Sequence, residues 1–282
     1  MHLTDPNPHR LTSPEAAPNF GLLIIGDEIL SGKRADKHLP KMIELLKERG
    51  LSLAYAEYVG DDPERITAVL QRAFESGDVV FSTGGIGATP DDHTRQCAAR
   101  ALGVNLELHP QARVLIEQRM QELALEQGKT YDPTHADNLH RLNMGVFPQG
   151  AQIIPNPYNK IPGFSCGHVH FVPGFPVMAW PMMAWVLDTH YPAFFAKDAW
   201  QERSVIVFGA MEATLTPLME AIERDFTGIK VFSLPSVDHP EYGRHIELGV
   251  KGAPDAVTPA FAALVDGLAP FRVKLGPELV RS

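Results

Sequence analysis

The chain has 282 residues, which is enough for roughly two domains of ordinary size. Hydrophobic residues make up 44% and charged residues 21%, as in soluble globular proteins, which excludes intrinsic disorder and a fibrous fold. The sequence contains no apolar run long enough to span a membrane, and the formal net charge of -9 argues against nucleic acids and anionic membranes as partners.

Two cysteines, Cys97 and Cys166, are too few for a disulfide framework or a tetrathiolate zinc site. No charged segment followed by an apolar one opens the chain, so we predict no secretion signal and expect a cytoplasmic protein. Prolines and polar residues dominate residues 1–18, and we expect this segment to be a flexible tail.

An alternation of strands and helices is predicted from residue 19 onward. Residues 20–25 are all apolar apart from one glycine, as in a strand buried on both faces of a parallel sheet. Further strands are predicted at 51–59 and 78–82. The helix between the first two strands has an apolar face and ends at Gly50, and the next helix is capped by Asp62 and ends at Gly77. The apolar face of the first of these helices consists of Leu39, Met42, Ile43 and Leu46.

Two helices near 93–102 and 110–127 follow, and then a region rich in loops. Strands are predicted at 151–154 and 168–172, before a helix over 175–191 in which Pro181 is expected to introduce a kink or delay the start. This order predicts a right-handed parallel α/β sheet in a first domain over 19–195.

A smaller α+β domain is predicted over 200–280. Strands at 203–208, 229–234 and near 246–250 alternate with two amphipathic helices, and a fourth strand is expected at 271–275. The order β-α-β-β-α predicts a split βαβ layer.

Acidic residues follow each of the first three predicted strands. Ligands of open parallel sheets bind beyond the carboxyl ends of the strands, where these loops meet. The topology therefore predicts that Asp27, Asp61 and either Asp91 or Asp92 lie at one edge of the sheet.

The third loop has the composition of a phosphate-binding loop. Glycines at 84, 85 and 87 let backbone N–H groups approach an anion, and a helix that starts near Asp92 adds a favourable dipole. Three threonines, Thr83, Thr89 and Thr94, supply hydroxyl donors. Because carboxylates repel phosphate, we expect a cation between them, and Mg²⁺ favours one or two carboxylates together with substrate phosphates.

Simpler interpretations exist for each of these residues. Glycines after a strand are common turn residues, Asp62 and Asp92 are good helix caps, and Asp61 alone fits a turn.

The loop after the third strand lacks the lysine of a Walker A motif and the spacing of a dinucleotide fingerprint, which disfavours an ordinary P-loop ATPase or NAD dehydrogenase. The PGFP segment at 173–176 is either a fourth ligand loop or a rigid turn.

Several motifs occur together in a fixed order. They are GDEILSG at 26–32, VGDD at 59–62, TGGIGATPDDHT at 83–94, PQGA at 148–151, NP at 156–157 with PGF at 162–164, and PGFP at 173–176. In this set the chain resembles the molybdopterin-binding-domain (MogA/MoeA-like) family, and most closely its competence/damage-inducible protein A (CinA) branch. The chain departs from the family pattern at Ala88, His93, Lys160 and Phe175.

The resemblance implies a three-layer α/β fold of the MogA type, in a homo-oligomer, with a small α+β domain behind it. It also implies that Asp27, Asp61 and Asp92 serve a pterin or nucleotide phosphate site, and we expect Asp27 and Asp92 to bind the divalent cation. The remaining candidate ligand-binding residues are Gly26, Glu28, Thr83, Gly84, Gly85, Gly87, Thr89, Asp91, Thr94, Pro173 and Gly174.

Three functions remain open at this point. The first is Mg²⁺-dependent cleavage of a nucleotide pyrophosphate such as ADP-ribose or FAD, which the resemblance to the CinA branch favours. The second is molybdopterin binding or adenylyl transfer in cofactor biosynthesis, and the third is a non-catalytic oligomeric binding module. In each of them the partner is a small-molecule nucleotide or pterin.

Overall fold

The computed structural model describes residues 18–195 and 201–281. The chain divides into two compact units after Phe195. Apart from Pro18, the tail predicted for residues 1–18 lies outside the described residues.

A mixed sheet forms the centre of the first unit. In chain order its elements are β1 (Phe20–Ile25), α1 (Asp27–Leu30), α2 (His38–Lys47), β2 (Leu53–Val59), α3 (Pro63–Ser76), β3 (Val79–Thr83), α4 (Thr94–Leu102), β4 (Leu106–Leu108), α5 (Pro110–Glu126), α6 (Ala136–Leu142), β5 (Val146–Pro148), β6 (Gln152–Ile154), β7 (Gly163–Cys166), β8 (Val169–Val172) and α7 (Pro176–His190). The strand order is β2-β1-β3-β8-β7-β6, in which the first four strands run parallel and β7 runs antiparallel to both neighbours. Strands β4 and β5 form a separate antiparallel pair.

Helices cover both faces of this sheet, and β1 is therefore buried on both sides. Leu23 and Ile25 belong to a core cluster that includes residues of α3 and α4. Leu22 and Ile24 belong to a second cluster that includes residues of α2 and α7. The three-layer α/β arrangement predicted from the sequence is therefore confirmed.

Several local predictions need correction. Ile43, predicted on the inner face of α2, is 49% exposed, and Leu45 takes its place in the core. Pro181 lies inside α7 and does not delay its start, which is at Pro176. The region predicted to be rich in loops contains α6 and β5, and β4 and β7 were not predicted at all.

The second unit is an antiparallel sheet with two helices. Its elements are β9 (Gln201–Phe208), α8 (Glu212–Asp225), β10 (Lys230–His239), β11 (Gly243–Gly252), α9 (Pro254–Gly267) and β12 (Lys274–Arg281), and the strand order is β10-β11-β9-β12. Since β11 pairs antiparallel with both β9 and β10, those two strands run parallel on either side of it, which is the predicted split βαβ unit. The fourth strand starts at Lys274, later than predicted, because Phe271 belongs to a 3-10 turn.

In the part of the chain that the structure describes, no helix combines the length and the apolar character needed to cross a membrane.

Candidate functional site

The parallel strands of the first unit end side by side at one edge of the sheet. Ile25 at the end of β1 lies opposite Val59 at the end of β2. Thr83 at the end of β3 lies opposite Ile24 on one side and Val172 on the other. The loops that follow β1, β2, β3 and β8 therefore begin at the same edge, as the sequence pattern predicts.

Two acidic side chains join the first two of these loops. The backbone N–H of Asp27 donates to Oδ2 of Asp61 at 2.8 Å, and the backbone N–H of Asp61 donates to Oδ1 of Asp27 at 3.2 Å. Gly60 permits this approach, because a Cβ atom there would lie 2.5 Å from Oδ1 of Asp27. The pair thus holds the start of α1 against the end of β2.

Negative charge is concentrated around Asp61. Partial burial raises the pKa of Asp61 above its ordinary value, and the nearby charges of Asp27, Glu28 and Asp91 raise it further. The hydrogen bond from the Asp27 N–H opposes this shift without cancelling it. Such crowding of carboxylates is favourable when a cation binds among them.

The loop after β3 presents a row of backbone donors. The N–H groups of residues 85–88 make no hydrogen bond to any residue that the structure describes. Gly84 and Gly85 have φ angles of +95° and +66°, which a side chain rarely adopts. A Cβ atom at Gly85 would also lie 2.1 Å from Oγ1 of Thr94. Consecutive free N–H groups beside positive-φ residues can bind an anion.

A buried arginine that sequence reasoning missed orients this loop. The guanidinium of Arg95, on α4, donates to the carbonyls of Ile86 at 3.0 Å and Gly87 at 2.7 Å. Because a trans peptide directs its C=O and N–H to opposite sides, these bonds turn the N–H groups of Gly87 and Ala88 away from Arg95. Burial lowers the pKa of Arg95, and the charge of Asp92 opposes that shift.

The predicted hydroxyl donors of the loop are engaged with the protein itself. The Thr83 hydroxyl donates to the carbonyl of Leu23 at 3.3 Å, and the Thr94 hydroxyl donates to the carbonyl of Gly84 at 3.1 Å. Both threonines are buried. In the native arrangement they therefore stabilise the loop.

The Asp92 carboxylate also belongs to the loop, rather than to the Asp27–Asp61 pair. It accepts hydrogen bonds from the N–H of Thr89 at 2.8 Å and from the Thr89 hydroxyl at 2.6 Å. It lies so close to Gly87 that a Cβ atom there would be 2.6 Å from its Oδ2. Asp91, its neighbour in sequence, is exposed and acts electrostatically on Asp61.

A cavity of about 340 Å³ opens at the same edge of the sheet. Three residues of its lining, Glu28, Thr83 and Gly174, are candidate site residues from the sequence, and Pro173 precedes Gly174 in the loop after β8. Three others were missed, and all are basic: Arg34, Lys37 and His38. The available signal was the position of Arg34 and Lys37 in the segment after β1, which must start at this edge, and of His38 at the beginning of the helix that follows.

A second cavity, of about 410 Å³, is lined by part of the loop after β3 and by α6. His140 of α6 approaches the carbonyl of Ala88 with its Nε2 atom at 3.2 Å. Among the described residues, no group of three or more histidine, cysteine, aspartate or glutamate side chains is arranged to hold a metal ion. A cation at the Asp27–Asp61 pair would therefore need oxygen ligands from its substrate or from water.

Comparison with known proteins agrees with this fold. The family described as "Probable molybdopterin binding domain" matches residues 21–192, more than half of the chain. The chain belongs to this family. The match includes both acidic loops, the glycine-rich loop and the loop after β8.

Relatives of this molybdopterin-binding-domain protein bear the name CinA-like protein. One from Gloeobacter violaceus is 30% identical over 88% of this chain and 57% of its own length. One from Geobacter metallireducens is 30% identical over 92% of this chain and 60% of its own length. The chain therefore spans less than two thirds of these curated relatives.

A solved structure shares the fold of the first unit. The crystal structure of the protein CinA, described as of unknown function, from Thermoplasma acidophilum superposes with a TM-score of 0.51 and 26% identity. It covers 60% of this chain and 97% of that one. The predicted resemblance to the CinA branch is confirmed by these relatives.

Proposed function

We propose that the carboxyl edge of the first unit binds a phosphate-bearing nucleotide and hydrolyses its pyrophosphate bond with the help of a divalent cation. The observation that supports this most directly is the set of N–H groups over residues 85–88 without a partner among the described residues, at the same edge of the sheet as the carboxylate pair of Asp27 and Asp61. The N–H groups suit phosphate, while the carboxylates repel it. Both can serve one ligand when a cation lies between them.

The carboxylate pair fits a magnesium ion. Each carboxylate uses one oxygen for its partner's backbone, so Oδ2 of Asp27 and Oδ1 of Asp61 make no hydrogen bond to a described residue. Mg²⁺ is commonly bound through one or two carboxylates together with substrate phosphates. When bound, such an ion polarises the phosphorus–oxygen bond and lowers the pKa of a coordinated water.

The protein's own groups hold and orient the substrate. The N–H groups of Gly87 and Ala88, directed by Arg95, donate to phosphate oxygens and stabilise charge that develops there. Asp92 keeps Thr89 in place and thereby supports the conformation of this loop. Asp27 and Asp61 are the residues that we assign to the cation.

The test is AMP release from ADP-ribose, FAD and NAD in the presence of Mg²⁺, Mn²⁺ or Co²⁺. We expect turnover only with metal, and Asp61→Asn should lower kcat/KM at least about tenfold because it removes a charge from the cation site. Asp78→Asn is the matched control, since Asp78 precedes β3 at the opposite edge of the sheet and bonds Asn19 there. An unchanged rate in Asp61→Asn would contradict the assignment.

A stability measurement on the same variant is independent of turnover. Because the pKa of Asp61 is raised, its ionisation disfavours the folded state as pH rises past the ordinary aspartate range. Asp61→Asn should therefore raise Tm slightly at neutral pH, and this advantage should disappear below about pH 4, where the carboxyl is protonated in both the folded and the unfolded chain. Conversely, adding Mg²⁺ with AMP should stabilise the wild type and not the variant.

A second candidate function is molybdopterin binding, with adenylyl transfer as the reaction. Membership of the "Probable molybdopterin binding domain" family favours it. In that case ADP-ribose, FAD and NAD are not cleaved, and a molybdopterin-type phosphate raises Tm instead. If neither response occurs, the chain is a binding module without catalytic activity.

A further inference from the structure

His38 occupies a rigid position at the start of α2. Its side chain is 5% exposed, and the Asp36 carboxylate accepts the backbone N–H groups of His38 at 2.8 Å and of Leu39 at 3.1 Å. Its ring reaches across to the loop after β8, where Nε2 lies 3.0 Å from the carbonyl oxygen of Gly174. Both the backbone and the ring are therefore held in place.

That contact determines the tautomer of the ring. A carbonyl oxygen only accepts hydrogen bonds, so Nε2 of His38 carries the proton and donates it to Gly174. In the neutral imidazole, Nδ1 then presents a lone pair. Nδ1 is buried and has no partner among the described residues, although His38 lines the 340 Å³ cavity. Buried polar atoms without a partner are rare in proteins, and one beside a cavity indicates a ligand that donates to it.

The walls of the cavity provide two further kinds of interaction. Arg34 and Lys37 line it, and neither forms an ion pair or a hydrogen bond through its side chain with a described residue; the Arg34 guanidinium lies 5.8 Å from the ring centre of Phe175. Glu28 is the acidic residue of the lining. The apolar part of the lining includes Ile24, Ile29 and Pro176. Two cations beside apolar walls suit an anionic group attached to a less polar body.

We propose that this cavity is a subsite for a phosphate monoester whose neighbouring hydroxyl or N–H group donates to Nδ1 of His38. Arg34 and Lys37 bind the phosphate, and the apolar walls contact the rest of the molecule. Both a ribose phosphate of a nucleotide and the phosphate arm of a pterin have this chemistry. The assignment rests on the proposed function for the ligand class alone, because it requires no bond cleavage.

The experiment measures dissociation constants by calorimetry, without metal, on the full chain. The ligands are AMP, neopterin monophosphate and orthophosphate, of which the last lacks the organic part that carries the neighbouring hydroxyl or N–H group. His38→Leu is the informative variant and His38→Gln its matched control. Leucine removes the Nδ1 acceptor, whereas the glutamine amide offers an N–H for the Gly174 carbonyl and an oxygen that can accept in place of Nδ1. We expect His38→Leu to bind AMP or the pterin phosphate about 3- to 10-fold more weakly, with orthophosphate unaffected, and His38→Gln to retain most of that affinity.

Exposed cations provide the second test. Arg34→Gln and Lys37→Gln should each weaken all three ligands about threefold or more, since each removes a charge from the phosphate. Lys33→Gln is the control, because Lys33 is an exposed cation in the same loop that does not line the cavity. Whichever of AMP and neopterin monophosphate binds more tightly identifies the source of the phosphate.

Several outcomes would overturn the subsite. These are equal weakening of AMP and orthophosphate by His38→Leu, which indicates that His38 has only a structural role, and failure of the wild type to bind either monoester. If His38→Leu does not fold, unchanged affinities in both Arg34→Gln and Lys37→Gln would also overturn the subsite. Absence of ADP-ribose cleavage, with the binding pattern intact, would contradict only the proposed hydrolysis.

Discussion

Asp27 and Asp61 each accept a hydrogen bond from the other's backbone while contributing charge to the same edge of the sheet. Capping and ligand binding are therefore not competing explanations for these two residues. The neighbouring Asp62 has a simpler role, because its side chain accepts the N–H of Arg65 and caps α3. Loss of Asp61 should therefore affect the candidate site, whereas loss of Asp62 should affect only the stability of α3.

Gly85 allows a sharp test at the same scale. An alanine there must adopt a φ near +66° and displace Oγ1 of Thr94, so we expect Gly85→Ala to lower the free energy of unfolding by about 2 kcal/mol or more. Binding of AMP should also weaken, because the N–H groups that follow change direction. Chemical denaturation and calorimetry measure the two effects.

Gly77→Ala is the matched control for this substitution. Gly77 ends α3 with a φ of +76°, and a Cβ atom there would have nothing within 4 Å. Gly77→Ala should lower the free energy of unfolding by about 1 kcal/mol, because the alanine must adopt a left-handed backbone conformation, and it should leave AMP binding unchanged. Equal losses at the two glycines would show that contact with Thr94 contributes nothing.

At the scale of elements, α4 supports the glycine-rich loop through one buried side chain. Arg95 donates to two successive carbonyls, which a lysine ammonium cannot match because it lacks the planar fork of donors. Arg95→Lys should therefore cost about 1–3 kcal/mol of stability and weaken AMP binding, because the N–H groups of Gly87 and Ala88 lose their orientation. Arg100→Lys, at an exposed position of the same helix, should change neither quantity.

The elements that sequence patterns predicted well are those whose own residues determine them. The wholly apolar run of β1, the Asp62 cap of α3 and the left-handed Gly77 all act locally. Strand β7 has no such signal, since it contains Gly163 and Ser165 and forms by pairing with β8, where Phe164 lies opposite Phe171. Tertiary contact decides such segments.

In the candidate site, too, some residues could be predicted from sequence patterns and others depend on tertiary contacts. The meeting of Asp27 with Asp61 follows from the strand order, which the alternation of strands and helices predicts. Arg95 was missed because a cation on a helix gives no indication that it turns inward to backbone carbonyls. His38 was missed because its role depends on Gly174, which is 136 positions away in sequence.

At the scale of the whole molecule, every candidate site residue lies in the first unit. That unit has two core clusters of its own, and the second unit has a third. We therefore expect residues 1–195, expressed alone, to unfold cooperatively and to bind AMP with a Kd within about twofold of the full chain. Calorimetry on the truncated chain tests this expectation.

The second unit provides the complementary measurement. Residues 196–282 should show a cooperative thermal transition by circular dichroism and no affinity for AMP. Loss of AMP binding in the first unit alone would instead mean that residues after 195 contribute to the site.

The hydrogen bond between His38 and Gly174 links parts of the molecule that are distant in sequence. Gly174 packs against Gly84, since a Cβ atom at Gly174 would lie 3.5 Å from the Gly84 Cα atom. The imidazole, the turn after β8 and the first glycine after β3 consequently form a continuous line of contact. A ligand that contacts His38 in the 340 Å³ cavity would therefore be separated from the glycine-rich loop by a single residue, Gly174.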